Sequence, residues 1–261
     1  MVFELMISPH KAEREPWDLA VLAFLFVSLA IAINILIPGL DGNIVAFAMI
    51  PAIPLIWALL IRDEKNEEEF YRHKRSFFDY HWNLIEIFSF FFIGAVLAFT
   101  VWYAILPIPA SQTIFSAQLN EIQNIKNATT GMAFKPEFFQ FLFQHNLQVL
   151  ALMFIFSVMY AIGSIYLLLW NASIIGVFVG SKIHTEGVIG VVNGLLGLIP
   201  HGSLELGGYF IASIAGGILS VAITHKCWKH SEFKYIMRDI AILTVISVML
   251  VGVGALVESS Y

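Results

Sequence analysis

Long apolar runs with few charges dominate the pattern of hydrophobic and polar positions along the chain. Runs of about twenty residues suffice to cross roughly 30 Å of hydrocarbon as an α-helix, at about 1.5 Å per residue. The pattern predicts an all-α fold, a polytopic transmembrane helical bundle with six or seven spans. The candidate spans are Trp17–Ile37, Asn43–Ile61, Asn83–Leu106, Phe141–Tyr160, Ser164–Ser181, Gly202–Ile223 and Ile240–Val257.

Two features make the number of spans six or seven. The candidates that begin at Phe141 and Ser164 almost meet, with only a few small residues between them, so one of the two could be partly submerged. The stretch between Ser181 and Gly202 is apolar for about a dozen residues and contains Pro200, which cannot donate a backbone hydrogen bond within a helix. This stretch is too short to span and is predicted to be a Pro-broken, re-entrant half-helix.

Basic residues set the predicted orientation, since Lys and Arg near short loops are retained on the cytoplasmic side. The N-terminus, residues 62–82 and residues 224–239 together hold 11 of the 14 Lys and Arg. Placing these segments in the cytoplasm leaves the 106–140 loop and the C-terminus outside. The N-terminus is therefore expected in the cytoplasm, in a multi-pass protein of the cell membrane.

The same landmarks divide the chain into three predicted parts. Residues 1–61 form an N-terminal two-helix hairpin, residues 62–82 an amphipathic cytoplasmic linker, and residues 83–261 a transmembrane core with the external loop 106–140. Within that loop, apolar residues recur at helical spacing and predict a second amphipathic helix whose apolar face docks a partner helix or lies on the outer leaflet. These residues are Phe115, Leu119, Ile122 and Ile125.

Composition narrows the class of protein. Apolar residues make up 59% of the chain and charged residues 13%, which leaves too little polar surface for a soluble domain, so the lipid bilayer is the main partner. The net charge is −5 and no basic groove is evident, so no nucleic-acid partner is expected. Cys227 is the only cysteine, which excludes an intrachain disulfide and a cysteine metal cluster.

Small residues recur every four positions in two of the later spans. Such ladders let neighbouring helices approach closely in lipid, where hydrophobic contact between helices contributes little. Helix packing is the favoured interpretation, and a glycine-lined substrate groove is the alternative. The ladders are Ala172, Gly176 and Gly180 in one span, and Gly208, Ala212 and Gly216, followed by Ser220, in the other.

A few polar residues interrupt the later spans and form a candidate buried polar motif. Each is costly in hydrocarbon unless paired, so each is expected to face the bundle interior. They are His145, Asn146, Asn171, Asn193, His201 and Glu205, with Gly202 beside the proline.

His201 and Glu205 are four residues apart and admit three interpretations. In the first, a helix starts after Pro200, capped by His201 or Gly202, and Glu205 accepts hydrogen bonds from its first N–H groups. In the second, the pair forms a proton or ion relay with an Asn of another helix. In the third, they bind a metal together with His184 and Glu186 in an intramembrane hydrolase.

The enzyme interpretation has the least support. The HExxH zinc pattern and the GxSxG nucleophile elbow are both absent from the sequence. The sequence therefore predicts no catalytic residue, no metal and no cofactor.

Four strings resemble the stage II sporulation protein M family in its archaeal form. They are NASIIGVFVG (Asn171–Gly180), IPHGSLELGGYFIASIAGGILSVAI (Ile199–Ile223), HNLQVLALMFIFSVMYAIGSIYLL from His145 and FFIGAVLAFTVWYAILP from Phe91. The family-typical positions here are Asn171, Gly176, Pro200, His201, Gly202 and Glu205, and His145 stands where the family has the first of two adjacent amides.

The resemblance implies a scaffold. In spore-forming bacteria the family's named member is a multi-spanning protein that holds cell-wall-degrading partners at the septum and is not itself regarded as the hydrolase. Archaea do not make such spores, so the fold and scaffold character carry over and sporulation does not. The predicted function is a non-enzymatic scaffold or assembly factor for other membrane or envelope proteins, compatible with a homo-oligomer. The alternative is a small-solute or ion transporter that uses the buried His and Glu.

Overall fold

The computed structural model describes residues 15–37, 39, 43–54, 77–129, 136–159, 164–224 and 233–260. This part of the chain is built from α-helices joined by short connections. The helices are α1 (Trp17–Leu36), α2 (Ile44–Pro54), α3 (Phe77–Ile105), α4 (Ile108–Ile114), α5 (Ser116–Thr129), α6 (Pro136–Met159), α7 (Ser164–Glu186), α8 (Val188–Thr224) and α9 (Phe233–Glu258).

Within the described ranges, six helices are long and apolar enough to cross a membrane. They are α1, α3, α6, α7, α8 and α9, which confirms the predicted all-α transmembrane architecture. The protein is therefore a multi-pass integral membrane protein. The candidate Asn43–Ile61 is described only as the short helix α2, and most of the predicted linker 62–82 lies outside the described residues.

Helices α6 and α7 are two separate spans. The apolar segment of α6 covers 22 residues and α7 covers 23, and each is long enough to cross. The expectation that one of the two segments could be partly submerged is therefore not needed to explain their lengths.

The predicted break at Pro200 is wrong. Helix α8 runs without interruption from Val188 to Thr224 with Pro200 inside it, and no separate half-helix precedes Gly202. A proline removes one backbone hydrogen bond, but lipid offers no water to satisfy a broken backbone, so a membrane helix tends to continue through it. The chain turns instead at Gly187, between α7 and α8, where the positive φ of 66° suits glycine.

The described helices fall into two compact units. The first contains α1, α2, most of α3, α4, α5, nearly all of α7 and the start of α8 up to Gly197. The second contains α6, the remainder of α8 from Leu198 and α9.

The first unit is held together by close helix contacts. Gly176 of α7 lies against Phe99 and the Val96 carbonyl of α3, and Gly180 lies one turn further along against Tyr103. The Trp102 indole N–H donates to the Ser28 hydroxyl at 2.8 Å, which links α3 to α1.

The predicted free face on the 106–140 loop is wrong at Phe115, whereas Leu119, Ile122 and Ile125 are half-buried. The expected amphipathic helix exists as α5, but Phe115, in the turn immediately before it, is fully buried. Its ring contacts those of Phe99 and Tyr103, with centroids 6.4 and 5.5 Å away. Gln118 of α5 is also fully buried and donates to the Ser173 hydroxyl of α7. The α4–α5 segment is thus part of the first unit's core.

Candidate functional site

The candidate site is a group of polar side chains in the second unit, where α6, α8 and α9 meet. Asn146 of α6 donates through its side-chain nitrogen to Glu205 Oε1 of α8. Tyr209, one turn further along α8, donates its hydroxyl to Asn146 Oδ1 at 3.0 Å. Asn146 therefore uses both ends of its amide and joins two positions on the same face of α8.

The three side chains are well shielded. Asn146 is 7% exposed and Tyr209 is 3% exposed, while Glu205 is partly buried. Polar groups in a membrane interior are costly unless hydrogen-bonded, and this triad meets that demand across a helix interface. We refer to Asn146, Glu205 and Tyr209 as the polar triad.

Helix α9 packs against the polar triad through a glycine. A methyl group built on Gly254 would lie 2.7 Å from Glu205 Cγ and 3.3 Å from the His201 carbonyl oxygen. Glycine is thus required for α9 to lie this close to α8. Glu258 follows one turn after Gly254 and brings a second carboxyl group to the same end of the unit.

Small residues of α8 make two different contacts in this unit. Gly208 lies against Val251 and the Ser247 carbonyl of α9. Gly216 lies against the Phe154 carbonyl and Ser157 of α6, and Ala212 between them is 1% exposed. The ladder therefore meets two neighbouring helices in succession.

The structure does not pair His201 with Glu205. Glu205 accepts its side-chain hydrogen bond from Asn146, and both His201 and Gly202 are internal residues of α8. The capping interpretation therefore fails, because no helix starts there and the first-turn N–H groups that a cap would satisfy are absent.

The remaining polar residues of the predicted motif are dispersed. Asn171 donates to the Leu167 carbonyl in its own helix. Asn193 is exposed and donates to Glu186 Oε2 at 3.0 Å, across the turn at Gly187. His145 is exposed on α6 and stacks on Phe141. The prediction that Asn193 and His145 are buried is wrong, because each lies on a helix face that no other described helix covers.

The postulated metal ligands are not gathered either. His184 contacts the Tyr103 carbonyl, and Glu186 forms an ion pair with Lys182 at 2.8 Å. Among the described residues, no group of three or more His, Cys, Asp or Glu side chains could hold a metal ion.

Sequence reasoning missed two members of the site. Tyr209 was not singled out, although it lies four residues after Glu205 and shares its helix face. Gly254 was also missed, since a glycine in the last span gives no local signal of what it contacts.

The comparisons with known proteins agree with this architecture. The profile of the Stage II sporulation protein M family matches residues 21–260. An uncharacterised protein of the archaeon Methanocaldococcus jannaschii is 26% identical over 117 residues, which is 44% of this chain and 65% of that protein. The match thus spans just under two thirds of that relative. No solved structure matches the chain.

The family match covers nearly the whole chain, and the six apolar helices are those of a multi-pass membrane protein. The chain belongs to the Stage II sporulation protein M family.

Proposed function

We propose that this protein is a non-enzymatic scaffold of the cell membrane that holds other envelope proteins together, with its N-terminus in the cytoplasm. The scaffold role is the one that the family resemblance implies. The observation that carries the proposal is the uncovered surface of the second unit, described next.

Helices α6 and α9 leave most of their surface uncovered. Only 28% of the apolar window of α6 and 33% of that of α9 is buried, compared with 50% for α1 and 56% for α7. The uncovered surface of α6 also carries amides, including Gln144 and Gln148. Side-chain amides on a span bind protein neighbours better than they bind lipid, which supports a protein that works within an assembly.

The polar triad supports a structural role for Glu205. Its partner Asn146 also accepts a hydrogen bond from Tyr209. Both the nitrogen and the oxygen of the Asn146 amide are therefore used in bonds that connect α6 to α8. Such a network fixes which helix faces meet. This argues for a rigid platform and against a catalytic carboxylate.

A pull-down from native membranes tests the scaffold function. The tagged full-length chain, crosslinked before solubilisation, is expected to recover the same envelope proteins in a constant ratio to itself. Deleting its gene should disperse those proteins, as judged by their co-fractionation. Glu205→Gln, which keeps the acceptor for Asn146, should recover the same partners.

A flux assay supplies the opposing outcome. If the purified protein in liposomes drives solute or ion flux, and Glu205→Gln abolishes that flux while thermal stability is unchanged, the scaffold proposal is wrong. Failure to recover any partner in constant ratio would also overturn it.

The orientation is tested by thiol labelling. Cys227 lies in a Lys-containing segment proposed to be cytoplasmic, so an impermeant maleimide should label it only after lysis. A cysteine at Asn120, which is exposed on α5, should label in intact cells when Cys227 is replaced by Ser. The opposite labelling pattern would invert the orientation.

A further inference from the structure

Helix α6 carries two stripes of side chains on opposite faces. The buried stripe packs inside the second unit and consists of Leu142, Asn146, Leu150, Met153 and Ser157. The exposed stripe, which we call the α6 seam, consists of Phe141, His145, Gln148, Leu152, Ile155 and Met159. Its members are alternately four and three residues apart, the spacing of a heptad seam.

Gln148 lies at the centre of this seam and of the span. The apolar segment of α6 runs from Phe138 to Met159, so Gln148 is at its midpoint. Its side chain is exposed and has no hydrogen-bond partner within the described parts of the chain. An unpaired amide at the middle of an apolar span is costly, so we expect a polar partner from outside the described residues.

The geometry of the seam specifies a helix as that outside group. A spacing of 3.5 residues keeps one stripe facing a partner helix along a left-handed crossing of about 20°. On the C-terminal side of Gln148 the seam is apolar and exposed. The exposed fraction is 44% for Leu152, 49% for Ile155 and 62% for Met159. These residues would interdigitate with a helix of similar side chains.

The chemistry of Gln148 specifies which helix. A primary amide is both donor and acceptor, so two identical amides satisfy each other across a two-fold axis. All copies of one chain insert in the same direction, so a two-fold axis along the membrane normal makes two α6 helices parallel and sets Gln148 opposite Gln148. Gln148 is the only amide in a seam that is apolar apart from His145, and a single amide in such a seam is a known device for fixing dimer register.

We propose that two copies of this chain associate through the α6 seam, as a parallel helix pair pinned by a hydrogen bond between the two Gln148 amides. The inference does not depend on the scaffold function, since it can be tested with the purified protein in liposomes without any other protein.

Cysteine crosslinking tests the geometry. In a Cys227→Ser background, Leu152→Cys and Met159→Cys, one heptad apart on the seam and with the Gln148 amide intact, should form disulfide-linked dimers on mild oxidation in liposomes. Leu25→Cys is the matched control, because it is equally exposed (47%) and near the middle of α1, yet lies outside the seam. We expect no dimer from it.

The amide is tested by substitution. Gln148→Leu should weaken dimerisation about tenfold, as measured by energy transfer between labelled copies at varied protein-to-lipid ratios. Gln148→Asn, which retains an amide, should restore most of the dimer. Leu faces lipid without penalty, so loss of folding is not expected, and unchanged thermal stability of the monomer would verify this.

Several results would overturn the inference. The inference is wrong if the wild-type protein stays monomeric at high protein-to-lipid ratio. It is also wrong if Gln148→Leu leaves the extent of dimerisation unchanged. Equal crosslinking of Leu25→Cys would show random collision. In native membranes, a Leu152→Cys crosslink to a different protein without self-crosslinking would assign the seam to that protein.

Discussion

The two units cover comparable helices to different extents, although both combine close glycine contacts with hydrogen bonds between helices. In the first unit, α7 meets α3 through glycine and aromatic contacts, and its apolar window is 56% buried. In the second unit, α6 meets α8 through the polar triad and through the close approach of Gly216 to the Phe154 carbonyl and Ser157, and its window is 28% buried. Helix α7 is therefore covered within the chain more completely than α6, which keeps one face free.

The difference indicates that the first unit serves mainly stability and the second mainly association. The first unit buries Ile114, Phe115 and Gln118 of its α4–α5 segment. The second unit is fixed internally by the polar triad and exposes the α6 seam. We therefore expect substitutions in the first unit to act mainly on stability, and those on the seam to act mainly on association.

Removal of the Phe115 ring should give the largest effect. Phe115→Ala leaves a cavity between Phe99 and Tyr103, because the ring is fully buried, and should lower the free energy of unfolding by about 3–5 kcal/mol. Thermal unfolding in detergent measures this. The control Ile108→Ala, at a residue 55% exposed on α4, should change little. If Phe115→Ala lowers the free energy of unfolding no more than Ile108→Ala does, the α4–α5 segment is a docking element that the core does not need.

Overfilling the α7–α3 contact should rank next. Gly176→Leu forces a side chain onto Phe99 Cβ and the Val96 carbonyl, which lie 2.5 and 2.8 Å from a built Cβ, and should cost up to about 3 kcal/mol. Gly197→Leu is the control, since no atom lies within 4 Å of its Cβ position. Unfolding midpoints that coincide for the two variants would show that α7 and α3 are not in close contact.

Loss of the triad's acceptor should have a smaller effect. Glu205→Leu leaves the Asn146 amide unpaired in a buried site and should cost about 1–3 kcal/mol. Glu205→Gln retains an acceptor oxygen and should remain close to the wild type. The same stability assay separates them, and a Gln variant as unstable as the Leu variant would show that the carboxyl itself is required.

Deleting one hydroxyl should give the smallest measurable effect. Tyr209→Phe removes the hydrogen bond to Asn146 Oδ1 and should cost about 1 kcal/mol. Tyr166→Phe, at a residue 41% exposed on α7, should stay within about 0.5 kcal/mol of the wild type. If both variants match the wild type, the triad is not a stabilising network.

The sequence predicted the spans well because crossing a bilayer is a local requirement. A run such as Trp17–Leu36 must be apolar and about twenty residues long wherever it packs. Family membership was also readable, since the strings around Asn171 and Pro200 are distinctive. Pro200 misled the prediction because its local effect is to break helices in water, whereas lipid favours a continuous helix.

The partners of each polar residue were less predictable. His201 was paired with Glu205 because they are four residues apart, but the acceptor's partner is Asn146, 59 positions earlier in the chain. Phe115 was assigned to a free face because its helix is amphipathic, and amphipathicity does not tell whether the apolar face meets a partner or the protein's own core.

The sequence by itself determined that this is an all-α multi-pass membrane protein, because the length and apolarity of each helix are set by the bilayer. Only the tertiary structure decided which side of α6 meets α8 and which side is left exposed. Asn146 and Gln148 are both amides two residues apart, yet one is bonded to Glu205 and Tyr209 and the other has no partner in the described chain. The two side chains lie on opposite faces of α6. Which face points toward α8 depends on the rotation of α6 about its axis, and contacts between residues far apart in the sequence fix that rotation.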